Sequence, residues 1–288
     1  MTTLLSSAGY KEVALPQGSI RYYDQGSGPV LVFIHGVFVN SALWRNVIPR
    51  LTQRFRCIVP DLPLGAHSLP MHADANLSPG GLAQLVADFL AALNLQDVTL
   101  VGNDTGGAIC QLTIAAHPER ITRLVLTNCD AFENFFPPFF SFLHYGPRFF
   151  GEGFTRFLAR ILRSRVAQRG LVATVAYHRI EDDVLDAVFG SFLHNEGVQR
   201  DVTKVLQGIS NRYTLEASRA FGSFQHPVLL VWGKNDPFFS ARFAVRLQQA
   251  FPSATLEFVS HSRAFVPEDQ PELLAQRIME FVHEPVHS

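Results

Sequence analysis

Apolar runs and helical stretches alternate along the first 130 residues. "VLVFIHG" (Val30–Gly36) is a continuous apolar run closed by glycine, the pattern of a parallel strand buried on both faces. "SALWRNVIPRL" follows with helical spacing and Ser41 as its N-cap. "FRCIVPDLP" (Phe55–Pro63) reads as the next strand, and a loop rich in Gly, Pro and His runs on to Ser78. Ser78-Pro79 sets an N-cap before proline at the first helical position, opening "GGLAQLVADFLAALNL". "VTLVG" (Val98–Gly102) is strand, "GGAICQLTIAAHPER" is helix, and "ITRLVLTNCD" (Ile121–Asp130) is strand again.

From about Ala131 to Phe224 only helical patterns are found, and then the alternation resumes. "PVLLVWG" (Pro227–Gly233) and "TLEFVS" (Thr255–Ser260) are strands, while "SARFAVRLQQAF" and "QPELLAQRIMEFVHE" are helices. Strand and helix in this order predict an α/β fold: a doubly wound, mostly parallel sheet with an inserted helical cap. The expected division is a core of residues 1–130 and 225–288 with a cap of residues 131–224. The alternation of the outer segments carries across the insertion, so one sheet is expected to hold both.

Composition narrows the function classes. The 288 residues are 47% hydrophobic, enough for a large core, and carry a net charge of −1 with no basic arm. Nucleic acid is therefore not an expected partner. Cys57, Cys110 and Cys129 lie in apolar stretches without paired or zinc-like spacing, so neither disulfides nor a metal is expected. No cofactor is implied. The stretch "MTTLLSSAGYKEV" has no basic start and no long apolar run, which reads as no signal peptide. No run reaches the ~18 residues of a membrane span. A soluble cytoplasmic protein is the resulting expectation, with the oligomeric state open.

Several polar residues fall at the carboxyl ends of the strands, where open α/β sheets bind ligands. They are His35-Gly36, Asp104, Asp130 and Asp236, with His261 just past the last strand. "LVGNDTGGA" (Leu100–Ala108) puts Asp104 between a strand and a helix in the pattern G-x-Nuc-x-G, a nucleophile elbow with aspartate as the nucleophile. The alternative is a helix-capping aspartate. No G-x-S-x-G occurs to compete for the role.

The order H-G, G-x-D-x-G-G, helical insert, "VWGKNDPFF" resembles the α/β-hydrolase superfamily. Within it, the chain is similar to the aspartate-nucleophile branch of haloalkane dehalogenases and epoxide hydrolases. The resemblance implies that Asp104 attacks an electrophilic carbon to form an alkyl ester. A His-activated water then releases the ester, and a second carboxylate orients the His. Asp236 is the expected acid, with Asp130 in reserve. The base is expected four residues before the "ED" pair, but that position is Ala264. His261, three residues earlier, is the first candidate and His67 the second, whereas His35 reads as structural. Where these dehalogenases carry Trp after the nucleophile and Asn after His-Gly, this chain has Thr105 and Val37; where epoxide hydrolases carry Pro it has Phe38. The Val37 and Thr105 amides still suit an anion hole.

Phenylalanine is abundant, at 25 residues, and crowds into "AFENFFPPFFSFL" (Ala131–Leu143). Val37, Phe38, Thr105, Phe132, Phe136, Phe139 and Tyr145 are the expected substrate contacts, and the partner is a hydrophobic small molecule. Two other readings stay open: a ligand-binding or degenerate member, and a cofactor-free lyase or isomerase that uses Asp104 as acid or base.

Overall fold

A computed structural model describes Leu5 and residues 7–283. The N-terminal stretch read as lacking a signal peptide lies partly outside these residues. Among the described residues eight strands form one sheet: β1 (Tyr10–Leu15), β2 (Gly18–Gln25), β3 (Val30–Ile34), β4 (Arg56–Pro60), β5 (Val98–Asp104), β6 (Ile121–Cys129), β7 (Val228–Gly233) and β8 (Ala254–Val259). Their order is β1-β2-β4-β3-β5-β6-β7-β8. Pairing is antiparallel from β1 to β2 and from β2 to β4, and parallel from β4 onward.

The β1–β2 hairpin did not emerge from the hydrophobic pattern. In β1 only the last residue, Leu15, is buried, and β2 mixes buried and exposed positions, as expected of an antiparallel edge with a wet face, and charged residues break up any continuous apolar run. The central strands β3, β5 and β7 are buried along nearly their whole length. The continuous Val/Leu/Ile runs seen in the sequence are the signature of that burial.

Helices cover both faces of the sheet. They are α1 (Ile48–Leu51), α2 (Pro79–Ala92), α3 (Thr105–Ala116), α10 (Ala241–Ala250), α11 (Val266–Asp269) and α12 (Pro271–His283). Ser78 caps α2, its hydroxyl accepting from Gly81 N at 3.2 Å. The expected helix over "SALWRNVIPRL" is instead a 3₁₀ turn, Ser41–Trp44, followed by the single turn α1. Asn40, not Ser41, caps the 3₁₀ turn, because its side chain accepts from Ala42 N. The Ser41 amide goes to Asp61 Oδ1 at 2.8 Å.

Between β6 and β7 the chain forms α4 (Ser141–Phe150), α5 (Glu152–Leu162), α6 (Arg165–Val175), α7 (Asp182–His194), α8 (Glu196–Gly208) and α9 (Asn211–Ala217). This helical layer lies over the carboxyl ends of the strands, where Asp104, Phe38 and the cap residues Leu143 and Val184 meet around one cavity. Among the described residues no helix is long and apolar enough to cross a membrane.

Candidate active site

Asp104 sits at the bend between β5 and α3 with φ 58° and ψ −133°. A non-glycine residue with positive φ is strained and persists only where its surroundings hold it. Close packing supplies the hold. A Cβ on Gly106 would lie 2.4 Å from the His35 and Ile34 carbonyl oxygens, and one on Gly36 would lie 2.6 Å from Asp104 Oδ1. Only glycine lets β3 approach the elbow so closely.

The carboxylate is both a cap and a cavity group. Its Oδ1 accepts from Thr105 N at 2.5 Å, so the capping alternative read from the sequence holds for that oxygen. The residue also lines a cavity of about 80 Å³, which exceeds the ~10–15 Å³ that a single water needs. The rest of the lining is almost entirely apolar and includes Phe136, Phe140, Leu143, Val184 and Phe265. Burial is the main cause that raises the Asp104 carboxyl to about 6; the Thr105 hydrogen bonds oppose the shift and the Asp236 charge adds to it.

Three carboxyl groups end neighbouring strands. Asp236 follows β7, its Oδ2 accepting from Asn128 Nδ2 (2.7 Å) and its Oδ1 from the amides of Phe238 (2.8 Å) and Phe239 (3.3 Å). Burial raises its pKa, and those hydrogen bonds and the Arg263 charge hold the rise back. Asp130, just past β6, is fully buried and accepts from Thr105 Oγ1 at 3.3 Å. Burial first, then the Asp104 charge, drives its pKa well above the usual carboxylate range.

Among the described residues the histidines lie elsewhere. His261 is exposed, in a positive-φ conformation (54°), with its ring edge-to-face on Tyr177 at 5.8 Å. It is not among the residues that line the Asp104 cavity. Ala264, at the position where the resemblance leads one to expect the base, is fully buried, and its carbonyl accepts from Asn103 Nδ2 at 2.7 Å. His67 is buried against Asp201 of α8 (Nε2 to Oδ2, 3.3 Å), where burial pulls its pKa down. His35 accepts from Leu62 N at Nε2 (2.9 Å) and contacts the Gly36 carbonyl through Nδ1 (2.9 Å). Burial lowers its pKa to about 4, so it stays neutral and holds the loop after β4. Among the described residues no histidine lines the Asp104 cavity.

The expected substrate contacts divide. Val37, Phe38 and Phe136 line the cavity. Thr105 is buried behind the elbow, its amide engaged by Asp104. Phe132 packs away from the cavity, edge-to-face with Phe221 and beneath the Arg246 guanidinium at 3.8 Å. Phe139 and Tyr145 are exposed. The reason is local: around Pro137-Pro138 and along α4, successive side chains point in different directions, and only some can face inward.

One feature of the wall escaped the sequence. Arg45 and Glu268 form a two-pronged ion pair, Nη1–Oε2 2.5 Å and Nη2–Oε1 2.6 Å, buried beside the cavity. The partners lie 223 positions apart, so no local pattern links them. An arginine within the apolar "ALWRNVI" was the one available hint.

The profile of the alpha/beta hydrolase fold family matches residues 29–271. The chain belongs to that family. It is 27% identical over 278 residues to a protein named haloalkane dehalogenase 2 of Mycobacterium tuberculosis, covering 92% of this chain and 91% of the other. An alpha/beta hydrolase fold protein from Burkholderia ambifaria superposes with a TM-score of 0.83 at 22% identity, covering 97% of this chain and all of the other. A putative ancestral haloalkane dehalogenase gives a TM-score of 0.79 at 19% identity, over 95% and 98% of the two chains. The α/β-hydrolase fold expected from the sequence is thus the fold observed, and the chain resembles haloalkane dehalogenases in sequence along nearly its whole length.

Proposed function

We propose that this α/β-hydrolase attacks an electrophilic sp³ carbon of an apolar small molecule with the Asp104 carboxylate. The observation that carries the reading is a carboxylate on the elbow, facing an apolar cavity. A carboxylate attacks without shedding a proton, so it suits displacement at carbon–halogen or epoxide bonds. An oxygen of Asp104 forms the new carbon–oxygen bond; a carbon–halogen bond breaks and halide departs with the electron pair, whereas in an epoxide one ring carbon–oxygen bond breaks and the oxygen, still held by the neighbouring carbon, keeps the pair and takes a proton from water. The product is an alkyl ester on Asp104, and the full-length similarity to a dehalogenase supports this class of substrate. Asp236 is the acid of the arrangement. A general base typically contributes ~10²–10⁴-fold, so a cavity wall without histidine predicts slow release of the ester by water.

Intact-mass measurement after incubation with 1-bromoalkanes and with aryl epoxides tests this directly. The expected result is an alkyl adduct that maps to Asp104 and is absent in Asp104→Asn. Alkylation should rise about tenfold per pH unit below pH 6 and level off above it, because only the ionised carboxylate attacks. Turnover undiminished in Asp104→Asn, with no reversion by deamidation, would falsify the proposal.

One observation favours a second reading. A carboxyl held near pKa 6, with no histidine beside it, is suited to act as general acid in a rearrangement without hydrolysis. That role gives the opposite pH profile, falling above pH 6, and no adduct.

A further inference from the structure

The cap carries a surface that the Asp104 chemistry does not use. On α4, Phe142, Tyr145 and Phe149 follow at i, i+3 and i+7 and share one face, which is exposed. Phe150 closes that helix, and on α5 Phe157 and Ile161 continue the exposed apolar surface at i and i+4. Phe149 and Phe150 are 77% and 72% exposed, and Phe157 is 57% exposed. Single exposed apolar residues are ordinary, but six within one helical hairpin mark an interaction surface. The inner faces are already satisfied: Leu143, Pro147, Thr155, Ala159 and Leu162 are buried.

The hairpin's own charge is one-sided. Residues 141–164 hold four arginines (Arg148, Arg156, Arg160, Arg163) against the single acidic Glu152, whereas the whole chain carries −1. Arg156, Arg160 and Arg163 are exposed along α5 at i, i+4 and i+7, beside the apolar stripe. Only Arg156 is engaged with Glu152, at 2.8 Å, and Arg148 contacts His144 Nε2 at 3.1 Å. Exposed aromatic residues bordered by arginine are the composition of helices that lie in the headgroup region of a bilayer. A second copy of the chain fits less well, because a two-fold contact would set the same arginines against themselves.

We propose that the α4–α5 hairpin docks the protein on an anionic lipid surface, with Phe142, Phe149, Phe150 and Phe157 entering the headgroup boundary and Arg148, Arg160 and Arg163 contacting lipid phosphates. Docking there would bring α4, which turns Leu143 into the Asp104 cavity, against the bilayer. An apolar substrate could then pass from lipid to cavity without crossing water. The inference does not depend on what Asp104 does, since its readout is binding.

Flotation with vesicles of equal parts phosphatidylcholine and phosphatidylserine, and with phosphatidylcholine alone, tests it. The full-length protein should float with the mixed vesicles, weakly with the neutral ones, and less as salt rises. A juxtamembrane arginine contributes about five-fold in partition, so Arg148→Gln/Arg160→Gln/Arg163→Gln should weaken binding about a hundred-fold. Phe149→Ser/Phe150→Ser/Phe157→Ser should abolish it. All six positions are exposed, so circular dichroism should show both variants folded. Absence of flotation of the folded wild type, or flotation unchanged in both variants, overturns the proposal. A dimer in sedimentation velocity that the phenylalanine variant dissolves, without vesicle binding, overturns it in favour of a second copy.

Discussion

Asp104 combines two demands that oppose each other. The proposed attack needs the Asp104 carboxylate to be charged and accessible, while the apolar wall penalises the charge and raises the pKa from an ordinary 3.8 to about 6. The folded chain therefore binds this proton more tightly than the unfolded chain. The contribution to stability is fully present below about pH 4 and is lost as pH rises through about 6. Asp104→Asn removes that loss. At pH 7 the variant should be more stable than the wild type by up to about 3 kcal/mol, and the difference should vanish below about pH 4 in urea titrations run across pH. Gly36→Ala acts on the same atoms. Its added methyl would press on Asp104 Oδ1 at 2.6 Å, so it should cost about 1–3 kcal/mol and lower the adduct yield with bromoalkanes. The elbow was legible from the chain because a tight turn needs glycines at fixed offsets. The position of the histidines was not legible, because a loop's direction after the last strand depends on what packs beneath it.

At the scale of elements, Arg45 follows the 3₁₀ turn after β3 and Glu268 belongs to α11, and they meet as a buried pair. Removing one partner strands a charge away from water, whereas replacing both with apolar residues does not. Glu268→Gln, or Arg45→Met alone, should lower stability by about 3–5 kcal/mol. The double variant Arg45→Met/Glu268→Leu should recover most of the loss, as read from urea midpoints. The central strands were legible for the reason that makes them central: burial on both faces selects unbroken apolar runs. The β1–β2 hairpin was not, since alternation with charged residues on its wet face dilutes the signal. The stretch expected as one helix over Ser41–Leu51 is a 3₁₀ turn followed by a single α turn, and Asn40 and Asp61 accept its first two amides, the latter from a strand end 20 positions later.

For the molecule as a whole, Asp269 ties the helical layer between β6 and β7 to the segment beyond β8. Its oxygens accept from the Tyr177 and His178 amides at the end of α6 (2.8–2.9 Å) and from Arg263 N beyond β8 (2.9 Å). Asp269→Ala leaves three amides without that acceptor. It should speed hydrogen exchange and proteolytic cutting around residues 176–181 while the central strands stay protected. Asp201 makes a second tie, joining α8 to His67 and to the Met71 amide (2.7 Å). Apart from the short Arg263–Asp269 bond, these links span 91 to 134 positions of chain and leave no mark in local composition.

By itself the sequence determined the alternation of strands and helices, the run of helices between β6 and β7 and the tight glycine-flanked turn at Asp104, because each depends on periodicity or on turn geometry within a few residues. Only the tertiary structure decided which phenylalanines face the cavity, that His261 and His67 lie away from it, and that Arg45 meets Glu268. Those outcomes rest on contacts between distant segments, where close packing and the need to satisfy buried polar groups choose the neighbour.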